Sequence, residues 1–235
     1  LERDVDRLIR NERIAWGASM IACKDADAMV TGNIRHYAAS IEKLKKVTEP
    51  RVGEEIFGMT MITLKGKTVL VADTNVQDFP TAERLVKVSK SCVRVARLFG
   101  FDPKVAFLSH STFGKPISKN TKHVRDAIEL LKNEKVDFDF DGEMQPDVAL
   151  NPIYQEIYPF SKIVGNANIL IMPALHSAAI STKLMKVFGG GKLIGPLLIG
   201  LGSPIEVAPL RASTSEILNL ASIAAYSSDV IDYSN

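Results

Sequence analysis

The chain has 235 residues, 46% of them hydrophobic and 24% charged, and its 29 basic and 27 acidic residues leave a formal charge of +2. That is a globular composition, enough for one large domain or two small ones, and it excludes a nucleic-acid surface: no basic stripe is present and only 7% of residues are aromatic. Cys23 and Cys92, the two cysteines, fit no metal or redox spacing, which points to a reducing, cytoplasmic setting.

Residues 2–22 carry apolar positions at helical spacing (Val5, Leu8, Ile9, Ile14, Met20, Ile21) and are predicted to be helical. The chain begins with Leu1 inside this pattern, which we read as a piece of a longer protein. Ala28–Thr31 reads as a short buried strand and Ile34–Val47 as an amphipathic helix. Phe57–Leu64 and Thr68–Ala72 are strand patterns joined by Lys65-Gly66-Lys67, a hairpin signal. Pro80 opens a helix through Leu98, stopped by Gly100. Lys104–Leu108 is a strand, Lys119–Leu131 a helix, and Phe138–Phe140 and Asn168–Met172 are strands. Ala174–Phe188 is a helix closed by Gly189-Gly190-Gly191. Leu193–Ile199 is an apolar run broken by Gly195-Pro196, and Thr214–Tyr226 is a terminal helix. Lys183 and Lys186 interrupt the best candidate for a membrane span, and no signal-peptide pattern is present. From Thr68 onward strands and helices alternate, which predicts an α/β fold: a mixed, mostly parallel sheet with helices on both faces.

The densest polar stretch is DGEMQPDVALN at 141–151. Asp141, Glu143, Gln145 and Asp147 fall on odd positions, so at a strand end they would gather in the crevice where open α/β sheets take ligands. Ser109-His110-Ser111-Thr112-Phe113-Gly114 follows the strand KVAFL. Its hydroxyls and backbone N–H groups suit an anion or a polar acyl group, or they cap the next helix. The run from Asp137 to Gly142 starts like a calcium loop, but position twelve is Val148 where a glutamate is needed. Gly190-Gly191-Lys192-Leu193 lacks the earlier glycine and the hydroxyl residue of a P-loop. Asp25 and Asp27 read equally as site or cap residues. His36, His110, His123 and His176 fit no metal spacing, and Ser177 beside His176 would not face it on a helix.

DADAMVTG at 25–32, FGMTMI at 57–62, ADTNVQDFPTAERL at 72–85, VAFLSHSTFG at 105–114, DGEMQPDVALN at 141–151, ANILIMPALHSA at 167–178 and GGGKLIGPLLIGL at 189–201 together resemble the phosphate acetyltransferase (phosphotransacetylase) family. DADAMVTG, ALHSAAIS and GPLLIGL are most similar to the C-terminal domain of the large bacterial NADP-dependent malic enzymes. The resemblance implies a two-lobed fold with a cleft between the lobes, the first lobe from 1–53 plus 208–235 and the second from 54–207. It also implies a homodimer, with a malic enzyme domain in cis that carries NADP and a divalent metal outside this chain.

The true transacetylases move acetyl between phosphate and coenzyme A, with arginines in two N-terminal motifs and a Ser-Arg-Gly segment before the terminal helix. Here the first arginine motif is absent and the second arginine falls on Glu42. The Ser-Arg-Gly segment becomes Pro209-Leu210-Arg211, with the following acidic position on Glu216. A one-residue gap would put Arg211 on the arginine and Leu210 on the serine; either way the hydroxyl is gone. The expectation is a non-catalytic regulatory domain that binds acetyl-CoA as an effector through Ser109, Ser111, Thr112, Asp141, Glu143 and Gln145, with Lys183 and Arg211 meeting the CoA phosphates. The alternatives are a working phosphate acetyltransferase using Arg211 and Glu216, and a module that only oligomerises its parent.

Overall fold

In the computed structural model, residues 2–73, 76, 78–231 and 233 are described. Thr74, Asn75 and Gln77 of the ADTNVQDFPTAERL motif lie outside the described residues. The chain forms two compact units, Leu1–Ile56 with Ile194–Asn235, and Phe57–Leu193. The sequence reading put residues 194–207 in the second unit. They group with the first because β8 (Ile205–Ala208) pairs in parallel with β1 (Met29–Gly32), and the Glu206 carboxylate accepts from Leu198 N–H at 2.9 Å.

The second unit is built on a sheet in the order β5-β4-β6-β3-β2. Its strands are β2 (Phe57–Leu64), β3 (Lys67–Ala72), β4 (Lys104–Leu108), β5 (Asp139–Met144) and β6 (Ile169–Ile171). β2 and β3 are antiparallel, joined by Lys65 (φ 50°) and Gly66 (φ 77°), the two left-handed positions of a tight hairpin turn. The β3–β6, β6–β4 and β4–β5 pairs are parallel. The expected mixed, mostly parallel sheet is therefore present.

Period-two alternation sorts the strand residues onto two faces. Val71, Ala106, Leu108, Leu170 and Met172 pack with Val148 and Ala149 of α6 (Pro146–Leu150) and Ala178 of α7 (Leu175–Phe188). The alternate residues Leu70, Val105, Phe107, Ile169 and Ile171 are buried on the other face, which α4 (Ala82–Leu98) and α5 (Lys122–Glu134) cover. Thr81 caps α4 by accepting from Arg84 N–H, so the helix starts at Ala82, two residues after the expected Pro80 opening.

In the first unit, α2 (Arg13–Ala22), α3 (Tyr37–Leu44) and α8 (Thr214–Val230) surround the β1/β8 pair. Its core joins Ile14, Ala18 and Ile21 to Ile41, Leu44, Ile205 and Val207. The single helix expected over 2–22 is two, because Glu12 adopts an extended conformation between α1 (Glu2–Asn11) and α2. Its carboxylate there takes Arg35 at 2.5 Å and Lys43 at 3.6 Å. β8 was not read from the sequence; four residues with a charge at Glu206 carry no strand signal. β7 (Lys192–Ile199) carries the chain from the second unit into the first. Among the described residues no helix is long and apolar enough to cross a membrane.

Candidate functional site

In the second unit, parallel pairing brings the carboxyl ends of β4 and β5 side by side, and both polar segments singled out from the sequence leave there. The loop after β4 folds back on itself: Thr112 and Lys115 exchange backbone hydrogen bonds at 3.1 Å around Phe113 (φ 48°) and Gly114 (φ 80°). It is tied to β5 by Ser109 N–H to Met144 O at 2.9 Å and Phe113 N–H to Glu143 O at 2.7 Å.

Within this frame Ser109, Ser111, Thr112, Glu143 and Gln145 come together. The Ser111 hydroxyl donates to Glu143 Oε1 at 2.6 Å and lies 3.0 Å from Ser109 Oγ. Gln145 Nε2 donates to His110 O at 2.7 Å, and Gln145 N–H to Thr112 Oγ1 at 3.2 Å. Ser109, Ser111, Thr112 and Glu143 are all buried. The carboxylate of Glu143 also meets Arg125 of α5, whose Nη1 lies 3.1 Å from Oε2 and 2.7 Å from Thr121 Oγ1. Arg125 Nη2 donates to Ser118 O at 2.9 Å. The result is an ion pair between a buried carboxylate and a partly exposed guanidinium, whose partners hold the loop and the start of α5 in place. Sequence reasoning missed Arg125, since an arginine on a helix face otherwise built for solvent gives no local sign of a buried partner.

The odd-position rule for 141–147 fails at a β-bulge. Pairing runs Ala106 to Asp141 and Phe107 to Gly142, then jumps from Leu108 to Met144. Glu143 is the extra residue and turns toward α5, while Asp141 stays on the α6 face. Asp141 accepts from its neighbour Gly142 N–H at 2.9 Å and from Lys162 N–H at 2.7 Å, away from Glu143. Gly142 itself is required: at φ 145°, an added Cβ would lie 2.7 Å from Phe107 O. Asp147 sits exposed in the first turn of α6. Lys183 is exposed on α7.

In the first unit the carboxyl ends of β1 and β8 form a second locus. Gly32 (φ 104°) passes so close to Ala208 that an added Cβ would lie 2.3 Å from its carbonyl oxygen. Asn33 N–H donates to Ala208 O at 3.1 Å, and Arg211 N–H to Asn33 O at 3.0 Å, which pins the Pro209-Leu210-Arg211 loop over the strand ends. Arg211 is exposed at φ 59°. A cavity of about 320 Å³ opens here, lined among others by Arg13, Thr31, Asn33, Arg35 and Ile217. Asn33 Oδ1 faces no hydrogen-bond partner among the described residues. Glu216 accepts from Ser213 N–H at 2.8 Å and from its hydroxyl at 2.9 Å, and Ser213 accepts from Glu216 N–H, a complete capping box for α8. Glu42 is exposed on α3.

Asp27 lines a separate groove of about 880 Å³ with Lys24, Glu49, Asp229 and Tyr233. Arg51 stands 5.6 Å from the Tyr233 ring centroid, and desolvation pushes that phenol up to about 12. Glu206 is wholly buried in this unit; desolvation pushes its carboxyl up to about 8, only partly offset by the Leu198 N–H.

The sequence profile of the Phosphate acetyl/butaryl transferase family matches residues 1–225. The chain is 46% identical over 226 residues to an NADP-dependent malic enzyme of Rhizobium meliloti (strain 1021), a match covering 96% of this chain and 30% of that protein. It is 29% identical over 212 residues to a phosphate acetyltransferase of Bacillus subtilis (strain 168), covering 89% of this chain and 66% of the relative. Among solved structures, a phosphotransacetylase from Streptococcus pyogenes superposes with a TM-score of 0.86 at 29% identity, covering 92% of this chain and 67% of the other. The chain spans about 30% of the length of the malic enzymes it matches.

Proposed function

We infer the function from one premise: the chain belongs to the Phosphate acetyl/butaryl transferase family. We propose that it is the regulatory and oligomerising domain of a cytoplasmic, NADP-dependent malic enzyme. The malate-to-pyruvate chemistry, with its NADP and divalent metal, then lies in a domain in cis. This domain binds acetyl-CoA as an allosteric effector without turning it over. The 46% identity to a malic enzyme supports the parent assignment.

The observation that carries the non-catalytic reading is Glu216. Acetyl transfer to phosphate needs a base for the thiol proton and fixed cationic donors for the phosphate. At the position the family resemblance gives to the acid, the Glu216 carboxylate accepts from the Ser213 N–H and hydroxyl in the helix cap. Glu42 supplies negative charge where an arginine would hold phosphate, and Pro209 and Leu210 offer no hydroxyl. Losing one such donor costs roughly 10²–10³ in rate, and losses that act as a unit leave little above background. The effector contacts proposed are Gln145 and Lys183, exposed in the second unit, and Arg211 is proposed separately as a phosphate contact in the first; the buried Ser109, Ser111, Thr112, Glu143 and Asp141 position the loops around Gln145.

The test is calorimetric titration with acetyl-CoA alongside an assay of phosphate-dependent CoA release. Saturable binding with release at the background rate is expected; no binding at millimolar acetyl-CoA contradicts the effector role. The kinship with phosphate acetyltransferases favours one second reading, an active transferase using Arg211. Turnover of tens per second abolished by Arg211→Ala would establish it.

A further inference from the structure

The cavity at the carboxyl ends of β1 and β8 is lined by none of the residues assigned to acetyl-CoA. At about 320 Å³ it holds a small metabolite and not a whole coenzyme A. Its lining contains two arginines, Arg13 and Arg35, and no acid. Arg13 is exposed. Arg35 is held by Glu12 through Nη1 at 2.5 Å, and a guanidinium has further N–H donors to offer a second carboxylate. α2 begins at Arg13 with no side chain capping it, so the N–H groups of its first turn add positive potential beside Arg13 and Ile14 of the lining.

Asn33 supplies the second, independent observation. It lines the same cavity, and its buried Oδ1 meets no donor among the described residues. Its backbone is fixed from both sides: its N–H donates to Ala208 O at 3.1 Å and its carbonyl accepts from Arg211 N–H at 3.0 Å. A buried acceptor is costly to leave unserved, so a group that enters here gains most by bringing a donor.

We propose that this cavity binds a small hydroxydicarboxylate, with its carboxylates on Arg13 and Arg35 and its hydroxyl donating to Asn33 Oδ1. This goes beyond the acetyl-CoA reading and does not depend on it. The chemistry selects among small anions. A plain dicarboxylate satisfies the arginines but leaves Asn33 without a donor. An amino acid brings a donor but adds a cation among guanidinium groups that no lining acid offsets. A fully ionised phosphate ester has charge but no O–H. The hydroxyl acid meets all three requirements, and the fixed backbone of Asn33 means that the acceptor is already in place before it arrives.

The test is calorimetric titration of the full chain with malate, succinate, aspartate and inorganic phosphate in turn. Malate should bind at least about tenfold more tightly than succinate, which lacks only the hydroxyl, and more tightly than aspartate or phosphate. Asn33 sits at φ 66°, so Asn33→Gly removes the acceptor without straining the backbone. It should weaken malate about tenfold and leave succinate unchanged, erasing the preference. Arg13→Gln should weaken malate and succinate alike, by about tenfold or more. Both variants should match the wild-type far-UV circular dichroism. Succinate bound as tightly as malate, or a folded Asn33→Gly chain that still prefers malate, overturns the role of Oδ1 and with it the proposal. Aspartate or phosphate bound more tightly than malate overturns the ligand class. Malate affinity unchanged in Arg13→Gln, or no malate binding at millimolar concentration, overturns the site. A chain that binds acetyl-CoA but not malate loses this site alone; one that binds malate but not acetyl-CoA keeps it and loses the effector reading.

Discussion

At the carboxyl ends of β4 and β5 the polar side chains are spent on one another, whereas at the carboxyl ends of β1 and β8 Arg211 is exposed. Ser111, Glu143 and Arg125 form a closed network with the carboxylate buried. Arg211 is exposed, on a loop held by backbone hydrogen bonds. Both places lie where parallel strands end, and both carry residues that look functional in the sequence. The difference lies in whether the charge has a partner inside the protein. A buried acid with an arginine and a serine around it organises loops; an exposed arginine on a pinned backbone is available to a ligand phosphate.

That contrast can be broken most severely at Gly32. Gly32→Ala places a Cβ 2.3 Å from Ala208 O at a φ that side chains avoid. The β1/β8 pair must separate, and we expect a loss of more than about 4 kcal/mol by urea unfolding, enough to unfold the first unit. Glu143→Ala comes next. It leaves Ser111 without its acceptor and Arg125 without its carboxylate, and should cost about 3 kcal/mol. Glu143→Gln, which keeps an acceptor, should cost less; equal losses would show that the charge, and not the acceptor, is what holds the network.

Glu206 sharpens the comparison through pH. Burial pushes its folded carboxyl up to about 8, above the 4.5 of the free side chain, so the fold retains a proton that the unfolded chain releases. The stabilisation is complete below about 4.5 and is lost as pH rises toward 8, on the order of a few kcal/mol over that window. Glu206→Gln keeps an acceptor for Leu198 N–H and removes the titration. Its midpoint in thermal melts should fall less than that of wild type between pH 5 and 9, and parallel curves would contradict the assignment. Smallest in stability is Arg211→Ala: no measurable change in melting, but acetyl-CoA affinity weakened about tenfold, roughly 1.4 kcal/mol. Unchanged affinity would remove Arg211 from the effector site.

Much of the fold was legible because it rests on local patterns. The β2–β3 hairpin was marked by Lys65-Gly66, and the alternation of strands and helices announced the parallel sheet. What stayed hidden depends on pairing across the chain. β8 is a strand because β1 lies beside it, and Glu143 changes face because β4 and β5 slip by one residue. Neither event leaves a mark in a short window of sequence. Ser109, Ser111, Thr112, Glu143 and Gln145 stood out by their types and order, but the partners they take in the fold did not. Asp141 turned out to anchor the Lys162 backbone, and Glu216 to cap α8, choices that only their partners reveal.

The central claim is tested most directly by adding acetyl-CoA and phosphate to the chain in the calorimeter and following CoA release in the same sample. The account predicts heat of saturable acetyl-CoA binding, no heat from phosphate alone, and no free thiol beyond the uncatalysed rate. Rapid, phosphate-dependent thiol release would contradict it.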